Sequence, residues 1–429
     1  MASMWPQQQT ERMAGASGRC KSERSKTMGT PGSRLPRRKT WDPAELSLVP
    51  ALFVLLAFTA CRKQDFPQYP PNYREYAYVT NGESGTVTVL DVVNVRLDRE
   101  VQVGKNPVAV AASPTRNEVY VVNSGAEGGQ GSISVIDAET NTVAATIALH
   151  SKPVSIEMDS QGRLAYVANS ESNSISVVDL KVRREIAQIG AGEEPVAARI
   201  TPDGKTLVVA NRRGNSVSVI DAAARSVRSI FDGCAGAADV AILPDSSKAF
   251  VACSGGHQVM AIALANAKTG SAQPQIDRLE SLLDVGRGPV QLALKPDGGE
   301  LFVSNSQSNS ISEVVTSTDD VGGAYMIGDD PVRGLVSSDN ALLYVANFHS
   351  QFLTIYSIDD GKRLPLSLTP HVGDGASALA FSSSGYLIFV VDNRSADVAV
   401  VRTLTRKLFT IVPTGRGPNA IVVKAFKVP

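Results

Sequence analysis

Tyr78-Val79-Thr80-Asn81 is the first of eight related tetrapeptides in this chain. The others read Tyr120-Val121-Val122-Asn123, Tyr166-Val167-Ala168-Asn169, Val208-Val209-Ala210-Asn211, Phe250-Val251-Ala252-Cys253, Phe302-Val303-Ser304-Asn305, Tyr344-Val345-Ala346-Asn347 and Phe389-Val390-Val391-Asp392. Their last residues lie 42, 46, 42, 42, 52, 42 and 45 positions apart. Aromatic and β-branched residues ahead of a turn-forming Asn describe a strand end. A strand-based unit repeating in the low forties is the signature of a propeller.

The second copy shows one unit in full. Pro107–Ser113 alternates as an inner strand, Pro114–Asn117 turns the chain, and Glu118–Val122 returns as the second strand. Ser132–Asp137 and Thr142–Leu149 supply the third and fourth strands. Inner strands open alike at Pro107-Val108, Pro153-Val154, Pro195-Val196, Pro289-Val290 and Pro331-Val332; Pro fits a strand start, where no ladder donor is needed. Third strands at Thr86–Asp91, Ser132–Asp137, Ser174–Asp179 and Ser216–Asp221 alternate hydroxyl and apolar residues, so both faces of each sheet can pack. Asn at the second-strand end is expected to make an Asx-turn, and Asp91, Asp137, Asp179 and Asp221 the same at third-strand ends. These acidic positions read as structural.

On these residues the chain resembles the YVTN β-propeller family of surface-layer and exported proteins, over residues 76–426. The resemblance implies a ring of four-stranded blades, more often seven than eight. Cys253 and Asp392 depart from it by replacing Asn. Counting strands favours eight: the first copy lacks an inner strand, and Pro418–Phe426 is left over at the C-terminus to supply one. Pairing the two chain ends would close the ring and remove two open sheet edges. The expected fold is therefore all-β, a single propeller over 76–429, with seven blades as the alternative. The less regular units are the fifth, interrupted around Ala265–Pro274, and the sixth, whose fourth strand near Tyr325 looks short.

Ahead of the ring, residues 1–45 are polar and carry no apolar period, which predicts a disordered extension. Arg37-Arg38-Lys39 precede an apolar run from Leu46 to Ala60 that ends Phe58-Thr59-Ala60-Cys61, the layout of an export signal. Met28 lies closer to this signal than Met1 does. The run is shorter than the roughly 20 residues a spanning helix needs. Small residues before a cysteine resemble the bacterial lipobox, although Leu56 and Phe58 depart from its usual pattern. Residues 46–61 are thus expected to be a signal with lipidation at Cys61. A proline-rich spacer over 62–75 would then hold the ring off the membrane. Lys and Arg equal Asp and Glu at 42 each, which argues against nucleic acid as the main partner. The expectation is an exported, lipid-anchored monomer of the cell envelope, with the membrane as one partner.

Four cysteines include no Cys-x-x-Cys pair. Cys234 and Cys253 fall on one hairpin of the fifth unit and are expected to form a disulfide. Loops after second and fourth strands share one face, which gathers His150, His257, His349 and His371. The residue after each fourth-strand glycine joins them there, among them Arg287, Asp329, Asp374 and Arg416. Arg287, Arg416, Asp329, Asp374, His349 and His371 are the candidate ligand contacts, as clamps for a polar or anionic group. No cofactor, metal or catalytic residue is assigned, since neither a Gly-x-Ser-x-Gly elbow nor a phosphate loop is present. The expected role is a non-enzymatic scaffold for a protein or small-molecule ligand. The alternative is a lactonase-like or redox-associated enzyme that uses the charged channel mouth.

Overall fold

The strand that begins the ring, Tyr73–Asn81, pairs on one side with the strand that ends it, Pro418–Lys427. Their antiparallel register runs from Tyr73 opposite Lys427 to Thr80 opposite Ala420. This computed structural model describes residues 67–265, 276–365 and 369–428. The expected extension 1–45, the signal segment 46–61 with Cys61, and residues 62–66 of the spacer lie outside the described residues. The first strand starts at Tyr73, inside the stretch the sequence assigns to the spacer.

The 32 strands of the described residues fall into eight four-stranded antiparallel sheets. We number them as blades from the closing sheet, so blade 1 combines the C-terminal strand with Tyr73–Asn81, Thr86–Asp91 and Arg96–Gln102. Blades 2 to 8 then follow in chain order. The eight-bladed ring expected from the leftover strand is the fold observed. Among the described residues no helix is long and apolar enough to cross a membrane.

The core is divided in the same way. Among the described residues, eight clusters of buried side chains each lie between two neighbouring blades. Tyr78, Val87 and Val89 of blade 1 pack on Val119, Val121 and Ile136 of blade 2, for example. Ala77, Val79 and Leu90, on the other face of blade 1, pack on Phe389, Val391 and Val400 of blade 8. Period-2 alternation thus feeds two interfaces from one strand. Each fully buried Val, Leu or Ile contributes about 1.5–3 kcal/mol, against about 0–1 kcal/mol for an exposed ion pair. Apolar stacking between blades therefore holds the ring, and its surface ion pairs add little.

One of the two irregularities lies elsewhere than the sequence suggests. The fourth strand of blade 6 is a full Asp320–Met326. It is blade 7 whose fourth strand shrinks to Lys362–Arg363. In blade 5 the third and fourth strands are Gln258–Ala263 and Arg278–Asp284, and residues 266–275 between them are not described.

The repeated Asn does something other than the expected Asx-turn. Asn81 Nδ2 donates across to the hydroxyls of Thr86 and Thr88, at 3.0 and 2.9 Å. Asn123 does so to Ser132 and Ser134, and Asn211 to Ser216 and Ser218. In blades 1, 2, 4, 6 and 7 a glycine three residues before the inner strand lies against the same amide. A Cβ on Gly104 would come within 2.6 Å of Asn123 Cγ, and one on Gly415 within 2.7 Å of Asn81 Nδ2. Glycine is needed there for close approach. The third-strand aspartates, by contrast, accept turn amides as expected: Asp137 from Glu139 N–H at 2.8 Å, Asp221 from Ala224 N–H at 2.7 Å.

Blade 5 changes both members of this glycine–asparagine contact together. Cys234 stands at the glycine position and Cys253 at the asparagine position, and the two form a disulfide with Cα atoms 4.9 Å apart. A covalent bond replaces the polar contact. Chain-entropy reasoning gives a loop of this length about 3 kcal/mol, with a sequence separation of 19. Reducing the purified protein should lower its urea midpoint, and Cys234→Ser with Cys253→Ser should reproduce the reduced midpoint without further response to reductant.

Blade 8 changes the amide instead. Asp392 is fully buried and accepts from Gly373 N–H at 2.9 Å. Its strand partner across the ladder is another acid, Asp397, where blades 1, 2, 3, 4 and 6 carry Ser or Thr. Burial, with the Asp397 carboxyl adding to it, pushes the Asp392 carboxyl up to about 8. The unfolded chain releases that proton near pH 3.9, while the folded one keeps it. The contribution to stability is therefore full below about pH 4 and is lost as pH rises toward 8. Asp392→Asn should raise stability at pH 8 by on the order of 3 kcal/mol and change it little at pH 4, read from urea midpoints at both pH values.

Candidate functional site

Inner strands have one free edge, which faces the axis of the ring. Ala and Val are their commonest residues, as in Pro107–Ala112. Five consecutive blades break that pattern. Glu157 and Arg199 occupy the fifth position of the inner strands Pro153–Met158 and Pro195–Ile200. Asp239, Gln291 and Arg333 occupy the third position of Ala237–Ile242, Pro289–Leu294 and Pro331–Val336. Blades 3 to 7 thus carry one polar wall of the axial channel. The facing wall comes from blades 8, 1 and 2 and is apolar apart from Asn419, with Ala378, Leu379, Ala420, Ile421 and Val108.

Between the walls lies a cavity of about 440 Å³. A second one, of about 270 Å³, shares Arg199, Asp239, Gln291 and Arg333 with it and reaches Glu157 and Pro202. Pro202 sits in a turn after an inner strand, so the polar wall extends toward the ring face opposite the histidine-bearing loops.

The polar wall is internally bonded. Arg199 Nη1 donates to Glu157 Oε2 at 3.0 Å, and its Nη2 lies 3.6 Å from Asp239 Oδ1. Asp239 Oδ2 accepts from Leu292 N–H at 3.1 Å, which occupies an edge amide of the next blade. Gln291 Nε2 donates to the Leu292 carbonyl at 2.8 Å, and its Oε1 accepts from Gly334 N–H at 2.6 Å. A Cβ at Gly334 would stand 3.4 Å from that oxygen. These side chains therefore tie inner strands 5, 6 and 7 together at the axis. Burial pushes the Glu157 carboxyl up against the pull of Arg199. Burial works against the charge of Arg199 too, but Glu157 and Asp239 outweigh it and hold that guanidinium above its usual range.

Arg333 is different. Among the described residues no hydrogen bond or ion pair to its guanidinium is found. Burial dominates its environment and depresses its pKa; Asp239 works against that and Arg199 with it. It is a cation set deep in the channel yet open to channel solvent.

The rim residues singled out from the sequence are arranged less convergently. His349 and Asp374 meet at Arg394, a residue that no sequence pattern marks. His349 Nδ1–H donates to Asp330 at 3.0 Å, and its Nε2 accepts from Arg394 Nη2 at 3.0 Å. Since a guanidinium only donates, this ring is the neutral tautomer. Arg394 also lies 3.8 Å from Asp374 Oδ1 and 4.6 Å above the Phe348 ring. His371 pairs with Gln351 at 3.3 Å, and Asp329 accepts from Asn309 at 3.2 Å. Arg287 and Arg416 are exposed on loops leading into blades 6 and 1, with blades 7 and 8 between them. Among the described residues no group of three His, Cys, Asp or Glu is arranged to hold a metal ion.

The channel residues lie on strands, whereas the sequence pattern directs attention to loops. A usable signal is present all the same: polar residues at inner-strand positions where the other repeats have Ala or Val. Arg199→Met should destabilise the fold by about 1–3 kcal/mol, because it strands Glu157 and Asp239. The double variant Arg199→Met with Glu157→Gln should recover part of that loss, measured by urea denaturation.

Comparison with known proteins gives the same architecture. Residues 76–191 match the family model described as "Lactonase, 7-bladed beta-propeller". An uncharacterized protein YncE of Salmonella typhi is 33% identical over 92 residues, 21% of this chain and 25% of that protein. The chain therefore spans about a quarter of the length of this curated relative. Hydrazine synthase of Kuenenia stuttgartiensis matches with a TM-score of 0.52 at 21% identity, over 70% of this chain and 96% of that one. A dihydro-heme d1 dehydrogenase, NirN, solved in complex with DHE, matches with a TM-score of 0.64 at 15% identity, over 83% and 76%. A functionally unknown protein of Desulfotomaculum acetoxidans matches with a TM-score of 0.54 at 14% identity, over 81% and 98%. The structural likenesses are likenesses of fold, and the family match covers too few blades to bear on their number. The chain is an eight-bladed β-propeller, similar in its first blades to the seven-bladed lactonase-type propellers.

Proposed function

We propose that this protein is an exported propeller, tethered to the cell envelope at Cys61, that binds a small organic ligand in its axial channel without transforming it. The observation that carries the reading is the two-sided channel. One wall gathers Glu157, Arg199, Asp239, Gln291 and Arg333, and the other is apolar apart from Asn419. A cavity with few convergent polar groups and an apolar remainder is the usual form of a small-molecule site. The rim supports it by contrast, since its charged side chains pair with one another or stand in solvent.

A second reading, a lactonase-type enzyme, is favoured by the family match over residues 76–191. It calls for an acid–base group beside the bound substrate. The channel supplies Glu157, whose carboxyl is raised by burial, but among the described residues no histidine lines either channel cavity. Binding is the simpler account of these groups, because most are engaged with each other.

Native mass spectrometry of the full-length protein, extracted from membranes in mild detergent, tests the binding reading. The wild type should carry a bound small molecule that Ala109→Trp, which fills the channel from the apolar wall, has lost. An equal load in both proteins, with Ala109→Trp folded by circular dichroism, would overturn it. For the tether, Cys61→Ser should move the protein from the membrane to the soluble fraction on cell fractionation. Retention in the membrane would remove lipidation from the account.

A further inference from the structure

We infer that the channel ligand is a singly charged organic anion, its oxyanion head held by Arg333 and its body laid against Ala378, Leu379, Ala420 and Ile421. The inference rests on the channel-binding reading and adds the ligand's chemical class to it. It starts from what each polar group of the wall already does. Arg199 is neutralised by Glu157 at 3.0 Å and approached by Asp239 at 3.6 Å. Asp239 spends its second oxygen on Leu292 N–H, and Gln291 is engaged at both ends of its amide. Arg333 is left with a planar fork of donors and no protein acceptor among the described residues.

A guanidinium in that position has a specific appetite. It cannot lose its proton at physiological pH, and its paired N–H groups match the two oxygens of a carboxylate-type head. A cation set into a narrow channel without a protein acceptor is incompletely compensated, and Arg333 shares its cavity with Ala378, Leu379, Ala420 and Ile421, which points to a partner that arrives later. The neighbours limit that partner's charge. Asp239 and Glu157 stand on the same wall, so a second negative charge on the ligand would meet them unfavourably. One negative charge fits and two do not. The volume of about 440 Å³ suits a small molecule and excludes a folded partner, and the apolar facing wall asks for hydrocarbon there.

Equilibrium dialysis of the full-length protein against hexanoate, hexan-1-ol and hexyl phosphate tests this. Each variant is run in the same detergent, so that partition into micelles cancels. Wild type should retain hexanoate at least about tenfold more tightly than hexanol, and more tightly than hexyl phosphate. Arg333→Gln should abolish the preference for hexanoate over hexanol while leaving hexanol binding unchanged. Without ligand, the same variant should melt at a higher temperature than wild type, which a merely structural arginine would not give. Arg333→Lys keeps the charge but not the fork and should fall between the two. Equal retention of hexanoate and hexanol by wild type would overturn the anion assignment and leave the channel reading standing. Tighter Arg333-dependent retention of hexyl phosphate would overturn the single-charge assignment. Retention of none of the three probes would overturn both this inference and the reading beneath it.

Discussion

Everything in this molecule depends on one strand pairing, that of Tyr73–Asn81 with Pro418–Lys427. Each blade buries both of its faces against neighbours, so a chain of blades has two unsatisfied ends unless it closes. The closing sheet takes one strand from one end of the ring-forming chain and three from the other, and so turns a linear array into a wheel without edges between blades. Side chains reinforce the seam. Lys424 Nζ donates to the Ser113 carbonyl of blade 2 at 2.6 Å, and Thr80 Oγ1 donates to Asn419 at 2.6 Å. Glu75, buried in the seam, accepts from Ser383 N–H of blade 8 at 2.6 Å.

Within five of the blades, 1, 2, 4, 6 and 7, a second device recurs. A glycine ahead of the inner strand lets the second-strand Asn reach the hydroxyls of the third strand, which draws the loops at one end of the blade together. Blade 3 has His150 at the glycine position, and two further blades keep the geometry by other chemistry. Blade 5 links the same two positions through Cys234 and Cys253, and blade 8 holds Gly373 against a buried acid, Asp392. In the second case a side chain that prefers charge in water is kept protonated well above its ordinary range, so the repeat becomes sensitive to pH at one blade.

The axis and the rim differ in what they leave unsatisfied. On the rim, His349, Arg394, Asp330 and Asp374 answer one another, and Phe348 covers the guanidinium. Along the axis, the inner strands present free edges, and Asp239 and Gln291 occupy part of these with their own side chains. A guanidinium facing an apolar wall is then left over. Fold by itself assigns no activity to a propeller; ligand binding is argued from this local imbalance.

The ring was legible in the amino-acid sequence. Tetrapeptides from Tyr78–Asn81 to Phe389–Asp392, the third-strand alternation of the first four units and the leftover Pro418–Phe426 pointed to strands, closure and eight blades over seven, because side-chain period and repeat length are properties of the chain; the sheet pairing decided the blade number. The pairing of Cys234 with Cys253 was also legible, since a hairpin fixes which residues face each other. The role of the repeated Asn was not: which of several acceptors its amide meets depends on how close a glycine brings the neighbouring loop. Nor was the site legible as a site. Glu157, Arg199, Asp239, Gln291 and Arg333 are spread over 177 positions of sequence, from 157 to 333, and each looks like an isolated lapse in an apolar strand. They share a wall because ring closure carries five inner strands around one axis, and that convergence belongs to the tertiary structure alone.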